Sequence, residues 1–409
     1  MKSDTYEVVR DSSLDFIGEA YATIYPNLHR YPATMIPQLG IALLDRLELN
    51  ASSLMDPYCG SGSSFAAGVH AGFKNLYGYD LNPLAALISK VKFTRIPASK
   101  CRRALDELRS TVLSLKVDES DTSALPNVTN SSYWFSQQSM WDLSAIQAVL
   151  AEVEDQAFRD LATLAFSETI RDVSYTRNNE FKLYRIPPEK LKDHNPDVKT
   201  VFLAHLERIS TIYLERYLPS LTNVKVRVTG AAYKPDGRQH DVVLTSPPYG
   251  DSRTTVAYGQ FSTLTNEWLG ISTARKIDGL LMGGKRATEL LSTGILASEI
   301  SAIAEVDQKR ALEVSAFYDD LGDSISNVAK GIKEDGYSIY IVGNRRVKDV
   351  QLSTDQFIAE QFEIAGLSHV VTYERVISSK SMPAVNSPSN KSGVTRGTMT
   401  QEFIVICKK

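Results

Sequence analysis

The stretch that most constrains this chain is Asp56-Pro57-Tyr58-Cys59-Gly60-Ser61-Gly62, a glycine-rich turn between a short apolar run, Ser53-Leu54-Met55, and a helical segment at 65–72. A second apolar run at 75–79 ends at Asp80, and helical spacing resumes at 84–92. Parallel strands need a crossover, and a helix supplies it, so strand, turn, helix, strand, acid, helix predicts the opening of a doubly wound α/β sheet. Glycines in such a turn let backbone N–H groups approach a ligand closely. A carboxylate at the end of the second strand can accept hydrogen bonds from both hydroxyls of a ribose. The pattern therefore predicts a nucleoside-bearing cofactor. It departs from the GxGxxG fingerprint, because Phe65 stands where the third glycine would be, which disfavours a pyrophosphate-binding NAD site. A glycine turn opening a helix is also common as a mere tight turn, so function needs a second constellation.

The rest of the chain divides around that opening. A helix is expected at 36–49, before the first strand. From 101 to 222 the periodicity is helical, as in 141–165 and 198–218, with no convincing strand, and this segment reads as a helical insertion. Strand character returns at 224–228 and 241–244. A polar, glycine-containing stretch at 251–300 precedes a helix near 310–333 and strands at 337–342, 369–373 and 403–407. The expected organisation is one split α/β domain, 1–100 plus 223–409, carrying the 101–222 insertion and a second one at 251–300. The segment 378–400, rich in Ser, Asn, Pro and Lys, reads as a long surface loop. The 409 residues, 43% hydrophobic, suffice for a sizeable core. Three scattered cysteines, Cys59, Cys101 and Cys407, exclude a disulfide framework or a zinc cluster and point to a reducing compartment. No signal-peptide pattern and no run of 18 apolar residues occur, so no membrane association and a cytoplasmic location are expected.

The second constellation is Asp241-Val242-Val243-Leu244-Thr245-Ser246-Pro247-Pro248-Tyr249. Two consecutive prolines cannot continue a central strand, because neither has an N–H. The backbone after Ser246 must leave the sheet as a stiff turn with free carbonyls. The exocyclic amine of a nucleobase is a poor nucleophile, since its lone pair is delocalised into the ring. A Ser hydroxyl and a proline carbonyl that accept its two N–H groups favour a pyramidal nitrogen, while Tyr249 stacks on the ring. The catalytic set read from the chain is thus Ser246, Pro247, Pro248 and Tyr249.

With both constellations in view, the chain resembles the DNA amino-methyltransferases that use S-adenosylmethionine (AdoMet), particularly the N4-cytosine type with an SPPY motif. In that family a DPFxGxGT element corresponds to Asp56 through Ser63, with Tyr58 and Ser63 in place of Phe and Thr. The resemblance implies a Rossmann-like class I methyltransferase sheet. It also implies an AdoMet pocket built from Asp56, Pro57, Tyr58, Gly60, Ser61, Gly62, Asp80 and Leu81, closed by the upstream element that matches Tyr31, Pro32 and Ala33. Weaker correspondences are Glu180-Phe181-Lys182-Leu183-Tyr184-Arg185, Val342-Gly343-Asn344-Arg345, Met382-Pro383 and 386–390. One departure stands out: where such enzymes often carry an acid after the strand preceding SPPY, this chain has Gly230-Ala231-Ala232, and neither Asp236 nor Asp241 is assigned to replace it.

The resemblance implies double-stranded DNA as substrate and a cognate restriction endonuclease as companion. Transfer would be directly to a flipped-out cytosine. Methylation at cytosine C5 would need a thiolate nucleophile on a Pro-Cys dipeptide, which is missing, and Cys59 reads as a packing residue. Adenine N6 is the nearest alternative, and Ser246 rather than Asp or Asn favours cytosine. An RNA or protein-amide methyltransferase is a further alternative, although an Asn-Pro-Pro-Tyr form is more usual there. A non-enzymatic nucleic-acid-binding module would require a degenerate turn or a degenerate Ser246.

The net charge of −3 gives no general affinity for nucleic acid, so contacts must be local. From Arg375 to Gln401 there are four bases, Arg375, Lys380, Lys391 and Arg396, and no acid. Arg253, just after SPPY with Asp251, Ser252 and Thr254, is expected at the pocket mouth. The 101–222 insertion is the candidate DNA-recognition region and the 251–300 segment is expected near the target-base pocket; Arg177, with Asn178 and Asn179, is the base reader expected from the insertion.

Overall fold

Two-residue alternation along the central strands sends neighbouring side chains into different cores. The computed structural model describes residues 6–19, 24–32, 34–47, 51–117, 125–177, 181–251, 255–285, 287–377 and 400–409, and the short strands at 385–386 and 396–397. Its strands are β1 (Val8–Arg10), β2 (Ser53–Asp56), β3 (Asn75–Tyr79), β4 (Lys225–Thr229), β5 (His240–Thr245), β6 (Ile332–Val342), β7 (Arg346–Val347), β8 (Val350–Gln351), β9 (Ser368–Val376), β10 (Val385–Asn386), β11 (Arg396–Gly397) and β12 (Gln401–Lys408). Eight form one sheet in the order β1-β9-β12-β6-β5-β2-β3-β4, while β7 with β8 and β10 with β11 form two-stranded ribbons. Pairing within the sheet is parallel except for β12, which runs antiparallel to both β6 and β9.

From β2 the chain winds outward through β3 to β4, then returns to the other side of β2 as β5 and winds away through β6. The direction of winding reverses between β2 and β5, and the crevice at their carboxyl ends is where open α/β sheets bind ligands. Asp56 ends β2, Asp80 follows β3, and Ser246 follows β5. The doubly wound sheet expected from the glycine turn is present.

Leu54, Val242, Leu244, Ile339, Ile341, Ile404 and Ile406 face one core, whereas Met55, Val243, Tyr340, Val342, Val405 and Cys407 face the other. The second core is covered by the helices Ala297–Val306, Gln308–Lys330 and Thr354–Ile364. The first is covered by Pro37–Arg46, Ser63–His70 and Pro83–Phe93, and by the helices of the insertion: Ala98–Ser114, Gln137–Ala151, Gln156–Val173 and Val198–Ile212. Phe158, Phe166 and Phe202 of the insertion belong to the same buried cluster as Leu54 and Leu244 of the sheet. The inserted helices therefore share the sheet's core.

The structure differs from the pattern reading in places. The 141–165 periodicity is two helices, because the Asp155 side chain accepts the Phe158 N–H and starts a new helix at Gln156. Strand β1 and the helices Tyr258–Trp268 and Thr354–Ile364 were not expected. β1 is a three-residue edge strand paired with β9, too short to carry a period. Among the described residues no helix is long and apolar enough to cross a membrane.

Candidate active site

Gly60 and Gly62 both have positive φ, 47° and 83°, in the left-handed region that favours glycine. A Cβ on Gly62 would come within 2.9 Å of the Phe93 ring. The missing third glycine is accommodated one strand away. Phe65 packs against Gly78 on β3, where an added Cβ would lie 2.6 Å from the ring.

The turn is held by side chains on its far side. Ser89 Oγ donates to the Gly60 carbonyl at 2.6 Å, and Lys92 Nζ donates to the Ser61 carbonyl at 2.8 Å. Both come from one face of the helix Pro83–Phe93, three residues apart. Two successive carbonyls of the turn are thus engaged by that helix. Burial pushes the Lys92 ammonium down to about 7.

Asp56 is buried and fully engaged as a brace. Its Oδ1 accepts the Tyr58 N–H at 2.9 Å and the Thr245 hydroxyl at 2.6 Å, while Oδ2 accepts Ser64 Oγ. Thr245 immediately precedes Ser246, so this carboxylate ties the glycine turn to the end of β5. Burial raises its pKa to about 6 against these hydrogen bonds. Asp80 accepts the Gly60 N–H at 3.0 Å and the Asn82 N–H at 2.8 Å, and burial raises it also to about 6.

These elements enclose a cavity of about 340 Å³, within the range of small-molecule sites. From the predicted set, Asp56, Pro57, Tyr58, Gly60 and Ser61 reach its wall from the turn. Asp80 and Leu81 reach it from β3, Tyr31 from upstream, and Ser246 and Pro248 from SPPY. Pro32, Gly62, Pro247 and Tyr249 do not line it. Ala33 and Arg253 lie outside the described residues, as do Lys380, Lys391, Asn178 and Asn179. Arg396 pairs with Asn386 in the β10–β11 ribbon. Arg177 lies on the insertion, exposed and off the cavity wall.

The Tyr249 hydroxyl is engaged within the protein. Ser246 Oγ donates to its phenol oxygen at 3.3 Å, and the phenol donates to Glu402 Oε1 at 2.8 Å. Burial, then the Glu402 charge, raise its pKa well above the ordinary value, so it stays protonated. Of the expected basic run, Arg375 is the member the structure removes from phosphate binding. It is 5% exposed, ion-paired with Glu402 at 2.6 Å and bonded to the Leu14 carbonyl. Its acid, Glu402, stands one residue beyond the 375–401 run.

Several wall-forming residues had no signal of their own in the sequence. Asn82 is a hub whose Nδ2 donates to Tyr31 Oη at 3.1 Å and to the Tyr258 carbonyl at 3.3 Å, while its Oδ1 accepts from Asn266 at 3.2 Å. Tyr31 stacks on Tyr258 with ring centroids 5.9 Å apart. The segments at 258 and 280–282, within the expected second insertion, thus close one wall. Upstream of Tyr31, Arg30 is anchored to the insertion, its backbone N–H and Nε each 2.6 Å from the Glu168 carboxylate. Asp236 bonds to Arg238, and Asp241 to Ser52, Ser53 and Lys333. The acids lining the far wall are instead Asp320 and Asp323 on the helix Gln308–Lys330, beside Ser324, which accepts the Tyr58 hydroxyl.

The cavity fits a nucleoside-bearing ligand on two counts. A carboxylate sits at the end of the second strand, and the buried Ser61 hydroxyl on the wall has no hydrogen-bond partner among the described residues. Cys59 is buried and its thiol is raised well above the ordinary value by burial, so it offers no thiolate.

No protein-family model matches the chain. It is 35% identical over 424 aligned residues to the type II methyltransferase M.MvaI of Kocuria varians, covering 97% of this chain and 93% of that protein. Two solved structures of the rRNA methyltransferase aviRa from Streptomyces viridochromogenes cover 98% of this chain and 93% of theirs at 11% identity. Their TM-scores, 0.32 and 0.31, are too low to carry an argument.

Proposed function

Because this chain belongs to the type II methyltransferase family, we propose that it transfers a methyl group from AdoMet to the N4 amine of a cytosine flipped out of duplex DNA, as the modification half of a restriction-modification pair. The observation that carries this reading is that Ser246 and Pro248 line the same cavity as Asp80 and the glycine turn. An amine held at Ser246 is thereby beside the nucleoside site.

When bound, AdoMet supplies an electrophilic methyl group. Asp80 would accept the ribose hydroxyls and the Ser61 hydroxyl would gain a partner, against a turn whose shape is held by the bonds of its carbonyls to Ser89 and Lys92. The Ser246 proton is committed to Tyr249, which leaves its lone pairs to accept an N–H of the target amine. Tyr249 is committed in turn to Glu402. No covalent enzyme intermediate is required. The proton lost from the methylated amine is acidic enough to pass to water. Flipping the base costs a few kcal/mol, offset by contacts in the pocket.

The test is incubation with duplex DNA and labelled AdoMet, digestion to nucleosides and identification of the labelled base. N4-methylcytosine is expected. N6-methyladenine would overturn the cytosine assignment, and label confined to RNA or protein would overturn DNA as substrate. Resistance of the methylated DNA to a companion nuclease tests the restriction-modification role.

A further inference from the structure

On the insertion, three aromatic rings stand in solvent. Tyr133 is 47% exposed, Phe181 38% and Tyr184 45%. Two guanidinium groups lie over rings of the same surface: Arg185 is 4.3 Å from the Tyr133 centroid and 5.2 Å from that of Tyr175, and Arg177 is 5.8 Å from that of Tyr184.

The surface is braced by backbone. Thr176 and Arg185 form an antiparallel bridge, Arg177 N–H donates to the Tyr184 carbonyl at 2.9 Å, and Ile186 N–H donates to Tyr175 at 2.8 Å. Tyr175 N–H donates to the Trp134 carbonyl at 2.7 Å, which fixes this hairpin to the turn that carries Tyr133. Leu183 N–H reaches Gln260 Oε1 at 3.4 Å, two residues from Tyr258 on the cavity wall. The hairpin thereby touches the helix Tyr258–Trp268, whose first residue lines the cavity.

Charge balance changes once folding is considered. Over 168–193 the sequence has six bases and five acids, which gives no electrostatic signal. Folding consumes Glu168, which is 1% exposed against Arg30, and Asp172, which bonds to Arg30 and His205. It also buries Arg171 over the Phe261 ring. Among the described residues of 181–193, Lys182, Arg185, Lys190 and Lys192 stand against Glu189 and Asp193. Flat exposed rings interleaved with cations suit a partner that offers base faces and phosphates together.

We infer that this surface of the insertion, Tyr133, Phe181 and Tyr184 with Arg177 and Arg185, is where duplex DNA docks beside the point at which the target base leaves the stack. The inference rests on the DNA reading above. Each ring stacks on a base or sugar face at the opened step, and the cations meet the flanking phosphates.

The experiment starts with the parent and genomic DNA, mapping the methylated site. If no DNA is methylated, the proposed function itself fails, independently of this surface. A fluorescent duplex carrying the mapped site is then titrated with the parent and with the double variant Phe181→Ala/Tyr184→Ala, each saturated with S-adenosylhomocysteine. At about tenfold per ring, the double variant should bind the duplex about a hundredfold more weakly, with unchanged affinity for S-adenosylhomocysteine. Tyr184→Trp, which keeps a ring, should restore binding when paired with native Phe181. A duplex affinity within twofold of the parent overturns the inference. A parent that binds the same sequence as duplex RNA equally well also overturns it. Photocrosslinking of the parent to the duplex, with 5-iodouracil beside the target base, reads the same contact without substitution. Crosslinks within 174–186 support docking there, and crosslinks confined to other segments refute it.

Discussion

The Tyr249 phenol donates to Glu402 at 2.8 Å across 153 residues of sequence, and Glu402 is itself held by Arg375 at 2.6 Å. The pair joins the turn after β5 to the start of β12 and orients a hydrogen-bond chain that runs from the Ser246 hydroxyl through the Tyr249 phenol to the Glu402 carboxylate. Removing only the hydroxyl separates this role from ring stacking. Tyr249→Phe should lower the single-turnover methyl-transfer rate by about tenfold, the equivalent of one hydrogen bond worth roughly 1.4 kcal/mol, with AdoMet affinity unchanged. A parental rate would show that the ring alone matters.

Ser246→Ala leaves the cofactor wall intact but removes the acceptor offered to the amine. AdoMet binding by calorimetry should match the parent, while the transfer rate falls by about a hundredfold or more. Equal activity would end the amine-holding role.

Asp80 gives a pH dependence with opposite signs for binding and stability. As a ribose acceptor it must be ionised, so AdoMet affinity should fall as pH drops through about 6, and Asp80→Asn should shrink that step and weaken binding at pH 7.5. For folding the sign reverses. A carboxyl raised from 3.8 to about 6 binds its proton more tightly in the folded state, so its contribution is fully present below 3.8 and lost as pH rises through 6. Calorimetric titrations at pH 5.5 and 7.5, with urea melts at pH 4.5 and 7.5, check both.

Lys92→Met leaves the Ser61 carbonyl without its donor and lets the glycine turn rotate. AdoMet affinity should drop by about five- to thirtyfold, equivalent to roughly 1–2 kcal/mol. Because burial lowers the lysine to about 7, the folded state sheds its proton before the unfolded chain does. The parent should therefore gain stability between pH 7 and 10 relative to the methionine variant. Parallel denaturation curves across that range would refute a buried, titrating lysine.

Phe166 lies in the insertion, fully buried and edge-on to Trp268 at 6.0 Å. Phe166→Ala should destabilise the protein by about 3–5 kcal/mol and lower the midpoint of one cooperative transition, since insertion and sheet share one core. Two separated transitions in urea, one sensitive and one indifferent, would show that the insertion folds alone.

What the chain declares locally is what backbone geometry and short-range spacing impose. Gly60 and Gly62 can take positive φ, Pro247 and Pro248 must break β5, and Asp80 must stand at the end of β3, so sheet opening, glycine turn and polar exit strand were legible from the residues alone. Glu402, Asn82, Lys92 and the Asp320–Asp323 wall were not, because their roles come from partners tens to hundreds of residues away and their own neighbourhoods carry no period or motif. Arg375 shows the same limit from the other side. A run without acids reads as an exposed basic patch until a strand pairing sets Glu402 beside it. Sequence determined the two halves of the site and the order in which the chain builds them. Only the tertiary structure decided that they share a cavity, which hydroxyl points where, and which charges remain exposed, because those depend on long-range pairing and burial.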